Sequence, residues 1–220
     1  MNIIKILLFI LFTSTTICGQ TINSSVPKKI DKTGRYIFYL HGRIIEEQGI
    51  NAAHPTFGEY RYLDILDSLK THNFNVISEA RQKNTDDILY AEKVFKQIDT
   101  LINAGVDPDK IFVFGASKGA YITLWISSKA LNKNLNFIVM GACSDETINK
   151  LSGHKICGNF LSIFEASDNF AASCVSLLKE QKCISDFQEI RLTLNNKHGF
   201  LYKPYSEWMT PLINWTNKID

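Results

Sequence analysis

Ile111-Phe112-Val113-Phe114-Gly115-Ala116-Ser117-Lys118-Gly119-Ala120-Tyr121-Ile122-Thr123-Leu124-Trp125 decides how this chain is read. Four apolar residues with β character run into a Gly-Ala-Ser-Lys-Gly turn, and a helix-forming segment follows. The sequence therefore predicts strand, sharp turn and helix, with a serine at the tip. A serine presented in this way sits in a strained backbone conformation. It needs small neighbours, because a side chain on either glycine would collide with the adjoining strand or helix.

Outward from this turn, β-rich apolar runs alternate with segments of helical period. Strands are expected at Tyr36 to Leu40, Phe74 to Ser78, Ile111 to Phe114, Phe137 to Gly141, Phe160 to Phe164 and Phe187 to Leu194. Helices are expected at Tyr60 to Thr71, Asp86 to Asn103, Gly119 to Leu131, Ala171 to Glu180 and Tyr205 to Lys218. Alternation of this kind implies crossover connections and a mostly parallel sheet covered on both faces, an α/β three-layer sandwich. The near-continuous apolar strands agree with burial on both sides.

The chain has 220 residues, 45% hydrophobic and 21% charged, which fits one domain with a full core. A formal charge of +2 with no basic run gives no electrostatic footprint for nucleic acid. Met1 to Lys5 followed by the apolar Ile6 to Phe12 reads as a secretory signal peptide, too short to span a bilayer. Cleavage is expected before Gln20, leaving residues 20–220 as the folded domain, secreted or periplasmic. Cys18 offers lipoprotein anchoring as the alternative, against which Ile17 and Thr15 reverse the order of small and aliphatic residues that a lipobox requires.

Export makes Cys143, Cys157, Cys174 and Cys183 candidates for two disulfides. In a parallel sheet, like ends of neighbouring strands lie together. Cys143 and Cys174 follow strands while Cys157 and Cys183 precede them, so the pairing 143 with 174 and 157 with 183 is expected. Local pairs, or four buried thiols, are the alternatives. No spacing is that of a zinc site, and no metal or cofactor is expected.

Ligands of an open parallel sheet meet the carboxyl ends of its strands. The residues there include Ser117, Asp145, Glu165, Asp168 and His198. A serine hydroxyl becomes a useful nucleophile when a histidine takes its proton and a carboxylate holds that histidine. His198, between the last strand and last helix, is the expected base. Asp168 is the expected acid, since the turn Glu165 to Asn169 can aim it back over the sheet; Asp145 and Glu165 are the competitors. The backbone N–H groups of Lys118 and Arg43 are the expected oxyanion donors, with His41 structural. Arg81, Glu46 and Arg61, together with Arg43, have two readings: a structural ion-pair network under a long loop, or substrate-binding residues expected at the site mouth. The loop from Gln48 to Gly58 is expected to wall the pocket with His54 and Phe57.

GASKG at 115–119 resembles the nucleophile elbow of the α/β-hydrolase family, YLHGR at 39–43 its oxyanion turn, and NKHGF at 196–200 its histidine loop. The resemblance covers about Tyr36 to Ile219 and implies esterase, lipase, thioesterase or peptidase chemistry without a cofactor. Two departures stand out: the segment before Tyr36 is too short for both antiparallel opening strands of that family, and the connection from Cys143 to Asn159 is too short for a cap domain. Without a lid, the substrate expected is a small or medium carboxylic ester, or an ester at the end of a soluble polymer, cleaved through a Ser117 acyl-enzyme. A serine peptidase or acyl-peptide hydrolase is the alternative among enzymes. A binding protein that keeps the fold without the chemistry is the alternative outside them. The oligomeric state is left open.

Overall fold

The computed structural model describes residues 21–219. The expected signal peptide, with Cys18, lies outside them. In chain order the elements are β1 (Ile22–Asn23), β2 (Arg35–Leu40), α1 (Arg43–Gln48), β3 (Ala53–His54), β4 (Gly58–Glu59), α2 (Tyr62–Thr71), β5 (Phe74–Ile77) and α3 (Asp87–Asn103). They continue with β6 (Ile111–Ala116), α4 (Lys118–Ala130), β7 (Asn136–Met140), α5 (Asp145–Leu151), β8 (Cys157–Glu165), α6 (Val175–Leu178), β9 (Cys183–Leu192) and α7 (Ser206–Thr216).

Seven strands form one sheet in the order β1-β5-β2-β6-β7-β8-β9, and every pairing within it is parallel. The two-residue alternation of strand side chains divides the core. Tyr36, Phe38 and Leu40 of β2 face one cluster with Ile98 of α3 and Leu124 of α4, whereas Ile37 and Tyr39 face another with Leu69 of α2 and Trp208 of α7. Every residue of β6 and β7 is buried. Apart from Asn136, these two strands carry no polar side chain, because neither face meets water. The connections leaving β2 and β6 run to opposite sides of the sheet, toward β5 and β7. The crevice between the ends of these neighbouring strands is therefore the topological switch point, where open sheets hold ligands.

The expected three-layer sandwich is present, with local differences. No antiparallel strand opens the sheet among the described residues; instead β1 adds two residues in parallel to β5, with Val76 and Ser78 donating to the carbonyls of Thr21 and Asn23. Helices α1 and α5 and the small β3–β4 hairpin are additions to the expected set, because six or seven residues are too few for helical period to register. The helix expected over Ala171 to Glu180 is a single turn, α6. Strand β9 starts four residues before Phe187, at Cys183; at this edge position Ser185 and Asp186 are exposed, and these polar residues interrupt the apolar run.

Both disulfides join like ends of the sheet. Cys143–Cys174 closes over the carboxyl ends with a Cα separation of 5.3 Å, and Cys157–Cys183 links the register-matched starts of β8 and β9 at 4.5 Å. His41, just beyond β2, is wholly buried. Its Nε2 accepts the Arg81 N–H at 2.8 Å, so the ring proton is on Nδ1 and donates to the Gly42 carbonyl at 2.8 Å. Burial, and then the Arg81 guanidinium, hold its pKa down to about 3.

Peptide mapping without reductant should recover the 143–174 and 157–183 bridges and no local pairs. Replacing Cys157 and Cys183 together by alanine should cost roughly 2–4 kcal/mol in urea unfolding, since a loop of 26 residues is released in the unfolded chain. His41 contributes a pH dependence of known sign. Its unfolded pKa is about 6.5, so the unfolded chain takes up a proton that the folded chain refuses. Its part of the stability is intact above about pH 6.5 and is lost progressively as pH falls toward about 3. Urea unfolding between about pH 7 and 4 should show this decline, and His41→Asn should flatten it.

Candidate active site

Ser117 lies between β6 and α4 with φ 52° and ψ −119°, a conformation that side-chain-bearing residues rarely adopt. Such a residue costs on the order of 1–3 kcal/mol and persists only where its surroundings impose it. They do so here. A Cβ on Gly115 would sit 2.3 Å from the Gly119 carbonyl oxygen, and one on Gly119 would sit 1.8 Å from that of Leu40. The Ser117 N–H donates to Met140 of β7 at 2.9 Å, and its carbonyl accepts the Ala120 N–H at 2.8 Å. The turn is thus held by both neighbouring strands and by the helix it starts.

The His198 Nε2 is 2.9 Å from Ser117 Oγ, and its Nδ1 is 2.7 Å from Asp168 Oδ2. A carboxylate at Asp168 accepts from Nδ1–H, which leaves Nε2 free to accept the serine proton. The Asp168 side chain is inaccessible to solvent, and its other oxygen accepts the Phe170 N–H at 2.9 Å. Glu165, weighed as an acid, is buried one turn earlier and serves its own loop. It accepts from the Ser167 N–H and hydroxyl at 3.2 and 3.0 Å and from the Leu194 N–H at 2.8 Å. Ser167 Oγ then accepts the Lys197 N–H at 3.0 Å, tying the acid turn to the residue before His198. Asp145 stands exposed in the first turn of α5, away from this chain of hydrogen bonds. Gly141, at φ 59°, lets the histidine approach: a Cβ there would be 3.3 Å from His198 Cε1.

Arg43 and Lys118 are the first residues of α1 and α4, where backbone N–H groups have no partner within the helix. Both line the cleft around Ser117. Gly42 abuts the serine closely, its missing Cβ 3.6 Å from Ser117 Cβ. Because His41 Nδ1–H holds the Gly42 carbonyl, and the peptide is planar and trans, the Arg43 N–H is turned away from the histidine.

The cleft has a volume of about 570 Å³. His54 and Phe57 wall it as expected: the two rings stack at 4.5 Å, and Phe57 meets Tyr202 edge-on at 5.4 Å. Three expected substrate contacts are not there. Arg81 and Glu46 are buried in an ion pair of 2.6 Å beneath α1, and neither lines the cleft; Arg61 pairs at the surface with Asp64, its neighbour one turn on, at 2.5 Å. The helix α1 covers the first two, because its single buried face is where Glu46 projects. Sequence reasoning missed Phe170, which is 68% exposed with its ring 5.2 Å from that of His198, and the Tyr121, Glu146 and Lys150 side of the cleft. Phe170 could have been found from its place two residues after Asp168. Glu146 and Lys150 depended on a helix too short to read.

No protein-family model matches the sequence, and no curated protein is similar to it. Solved structures are. An α/β hydrolase of unknown function from Agrobacterium tumefaciens superposes with a TM-score of 0.56 at 17% identity, over 86% of either chain. SOBER1 of Arabidopsis thaliana gives 0.51 at 14% identity over 85% of this chain and 99% of its own. An arylesterase gives 0.55 at 15% identity over 88% of this chain and 78% of its own. The parallel seven-stranded sheet, its helices on both faces and these superpositions together identify the architecture: this chain has the α/β-hydrolase fold.

Proposed function

We propose that this protein is a serine hydrolase that cleaves small or medium carboxylic esters, with Ser117, His198 and Asp168 as its catalytic triad. The observation that carries this reading is the unbroken hydrogen-bonded line from Ser117 Oγ through His198 to the buried Asp168. In the first step Ser117 Oγ attacks the ester carbonyl carbon while its proton passes to His198 Nε2. Asp168 keeps the ring oriented and stabilises the imidazolium. The carbonyl oxygen becomes an oxyanion held by the Arg43 and Lys118 N–H groups, each at a helix start where the dipole favours negative charge. Collapse of the tetrahedral intermediate breaks the bond to the alcohol, which takes the proton from Nε2. Water then attacks the acyl-enzyme by the same route and frees Ser117.

The cleft supports the substrate class. Between β7 and β8 the chain supplies only α5 and two short connections, so nothing there covers the serine as a cap would. A cleft of about 570 Å³ suits one small ligand or a chain end. The alcohol half must leave past His198, since it collects its proton there. Phe170 packs on that ring and Phe57 lies against Gly199, so the leaving side is aromatic. Export is the companion reading, supported by two disulfides, which persist in oxidising compartments. No helix among the described residues is long and apolar enough to cross a membrane.

A fluorophosphonate probe should label the protein at Ser117, and a panel of acetate to octanoate esters should be hydrolysed best at the short end. Ser117→Ala and His198→Ala should each lower ester turnover by about 10⁴-fold or more with unchanged circular dichroism, and Asp168→Asn by about 10³-fold. Activity of either alanine variant within about tenfold of the parent would refute the triad. Hydrolysis of aminoacyl amides in preference to esters would replace esterase by peptidase, and no labelling of Ser117 would leave a binding protein. Among acetates of primary alcohols, benzyl should exceed hexyl in kcat/KM, and Phe170→Ala should lower the benzyl value by about tenfold, the size of one lost aromatic contact.

A further inference from the structure

The mechanism leaves one buried charge cluster without a task. Glu46 lies on α1 with its side chain 2% exposed, and its two carboxylate oxygens take different cations. Oε1 accepts from Arg81 Nε at 2.6 Å, and Oε2 accepts from Lys118 Nζ at 2.6 Å. Arg81 also donates from its guanidinium to the His41 carbonyl. Lys118 also donates to the Thr85 carbonyl at 2.9 Å and pairs with Asp87 at 3.1 Å. Two cations face two carboxylates, and all but Asp87 are at least nine-tenths buried.

We propose that Glu46 is a positioning residue for the oxyanion site, fixing through Arg81 and Lys118 the two helix starts whose N–H groups receive the tetrahedral intermediate. This rests on the reading of the site as that of a serine hydrolase. The two donors belong to segments far apart in sequence, Arg43 at the start of α1 and Lys118 at the start of α4, and no backbone pairing in the sheet joins one helix to the other. Helix α1 has little else to hold it. It has six residues, no side chain caps its first turn, the Gly49 N–H closes its last on the Ile45 carbonyl, and only Ile45 and Glu46 are buried. The Glu46 carboxylate bridges the gap directly. It grips the side chain of the very residue whose N–H is one donor, and it sits three residues beyond the other.

A buried ion pair is a weak source of stability, because burying ions costs much of what their attraction returns. What ions add is direction. Hydrogen bonds at 2.6 Å on both oxygens leave the carboxylate little freedom, and an oxyanion donor is effective only within about 2.7–3.1 Å of the developing charge. A few tenths of an ångström of drift in α1 relative to α4 would weaken the transition state while leaving the neutral substrate almost as well bound.

The test uses the full-length protein with Glu46→Gln and Lys118→Met, the second keeping the Lys118 N–H and the Glu46–Arg81 pair. Each should lower kcat for a short-chain ester by about 10–100-fold, less than loss of a whole oxyanion donor, with KM within about threefold of the parent. The inhibition constant of an alkyl boronic acid, which forms a tetrahedral adduct on the serine, should rise by the same factor as kcat/KM falls. The double variant should be no slower than the slower single one, because both break one bridge. If Glu46→Gln does not fold, Lys118→Met carries the test alone. Loss of thermal stability with kcat retained, or loss of kcat with boronate affinity unchanged, would overturn the role of Glu46. A parent protein that neither hydrolyses esters nor reacts with fluorophosphonate would remove the hydrolase reading itself, and this inference with it.

Discussion

The close approach of Gly119 to the end of β2 sets the geometry on which the rest of the site depends. With no side chain at 119, the first turn of α4 lies against the Leu40 carbonyl, at a distance no Cβ could share. That contact packs α4 against the paired ends of β2 and β6 at the switch point of the sheet, with Ser117 in the turn between β6 and α4. It also sets Gly42 beside the serine. The placement of Ser117 and of the first turn of α4 thus follows from one packing constraint. The positive φ of Ser117 is stabilised by the same contact, since relaxing the turn would drive α4 into β2.

Polar groups around this point divide by what they touch. The Asp168 side chain is kept from water behind His198, which is partly exposed and lines the cleft. Glu165 and Ser167 lie behind them and act on the backbone, joining the acid turn to β9 and to the histidine loop. Arg81 and Glu46 lie still deeper, away from the cleft, and hold the turn that follows β2. The type of a carboxylate near the serine thus does not by itself reveal its role. The question is whether both its oxygens are occupied by donors of its own loop and the next strand's end, as at Glu165, or one is directed at an imidazole, as at Asp168.

This distinction explains what could be read from the sequence. The parallel sheet was legible because β6 and β7, buried on both faces, are apolar at nearly every position. Ser117 and His198 were legible because a glycine-flanked serine after such a strand, and a histidine after the last one, leave few other placements. Asp168 was separable from Asp145 by its turn, and the disulfides followed from which end of a strand each cysteine occupies. Arg81, Glu46 and Arg61 were misplaced for a physical reason: charge marks a residue as soluble, and nothing local shows that a six-residue helix will fold over two of them. Phe170 escaped notice because an aromatic residue in a loop is usually core, whereas this one is exposed.

The two disulfides complete the division of labour between scaffold and site. Cys157–Cys183 ties the starts of β8 and β9, far from Ser117, and restrains the weakly apolar edge of the sheet. Cys143–Cys174 lies at the opposite end. It joins Cys143, two residues before α5, whose Glu146 and Lys150 line the cleft, to the segment that runs on from Asp168 and Phe170. Glu189 holds the same segment from beneath, accepting from the Ser173 hydroxyl and the Cys174 N–H at 2.5 and 2.7 Å. Short loops of this kind bury too little apolar surface to fix themselves, so a covalent tie and a carboxylate replace the missing core. An acid turn held in this way keeps Asp168 directed at His198 without any help from a cap, and this lets the cleft stay open to solvent.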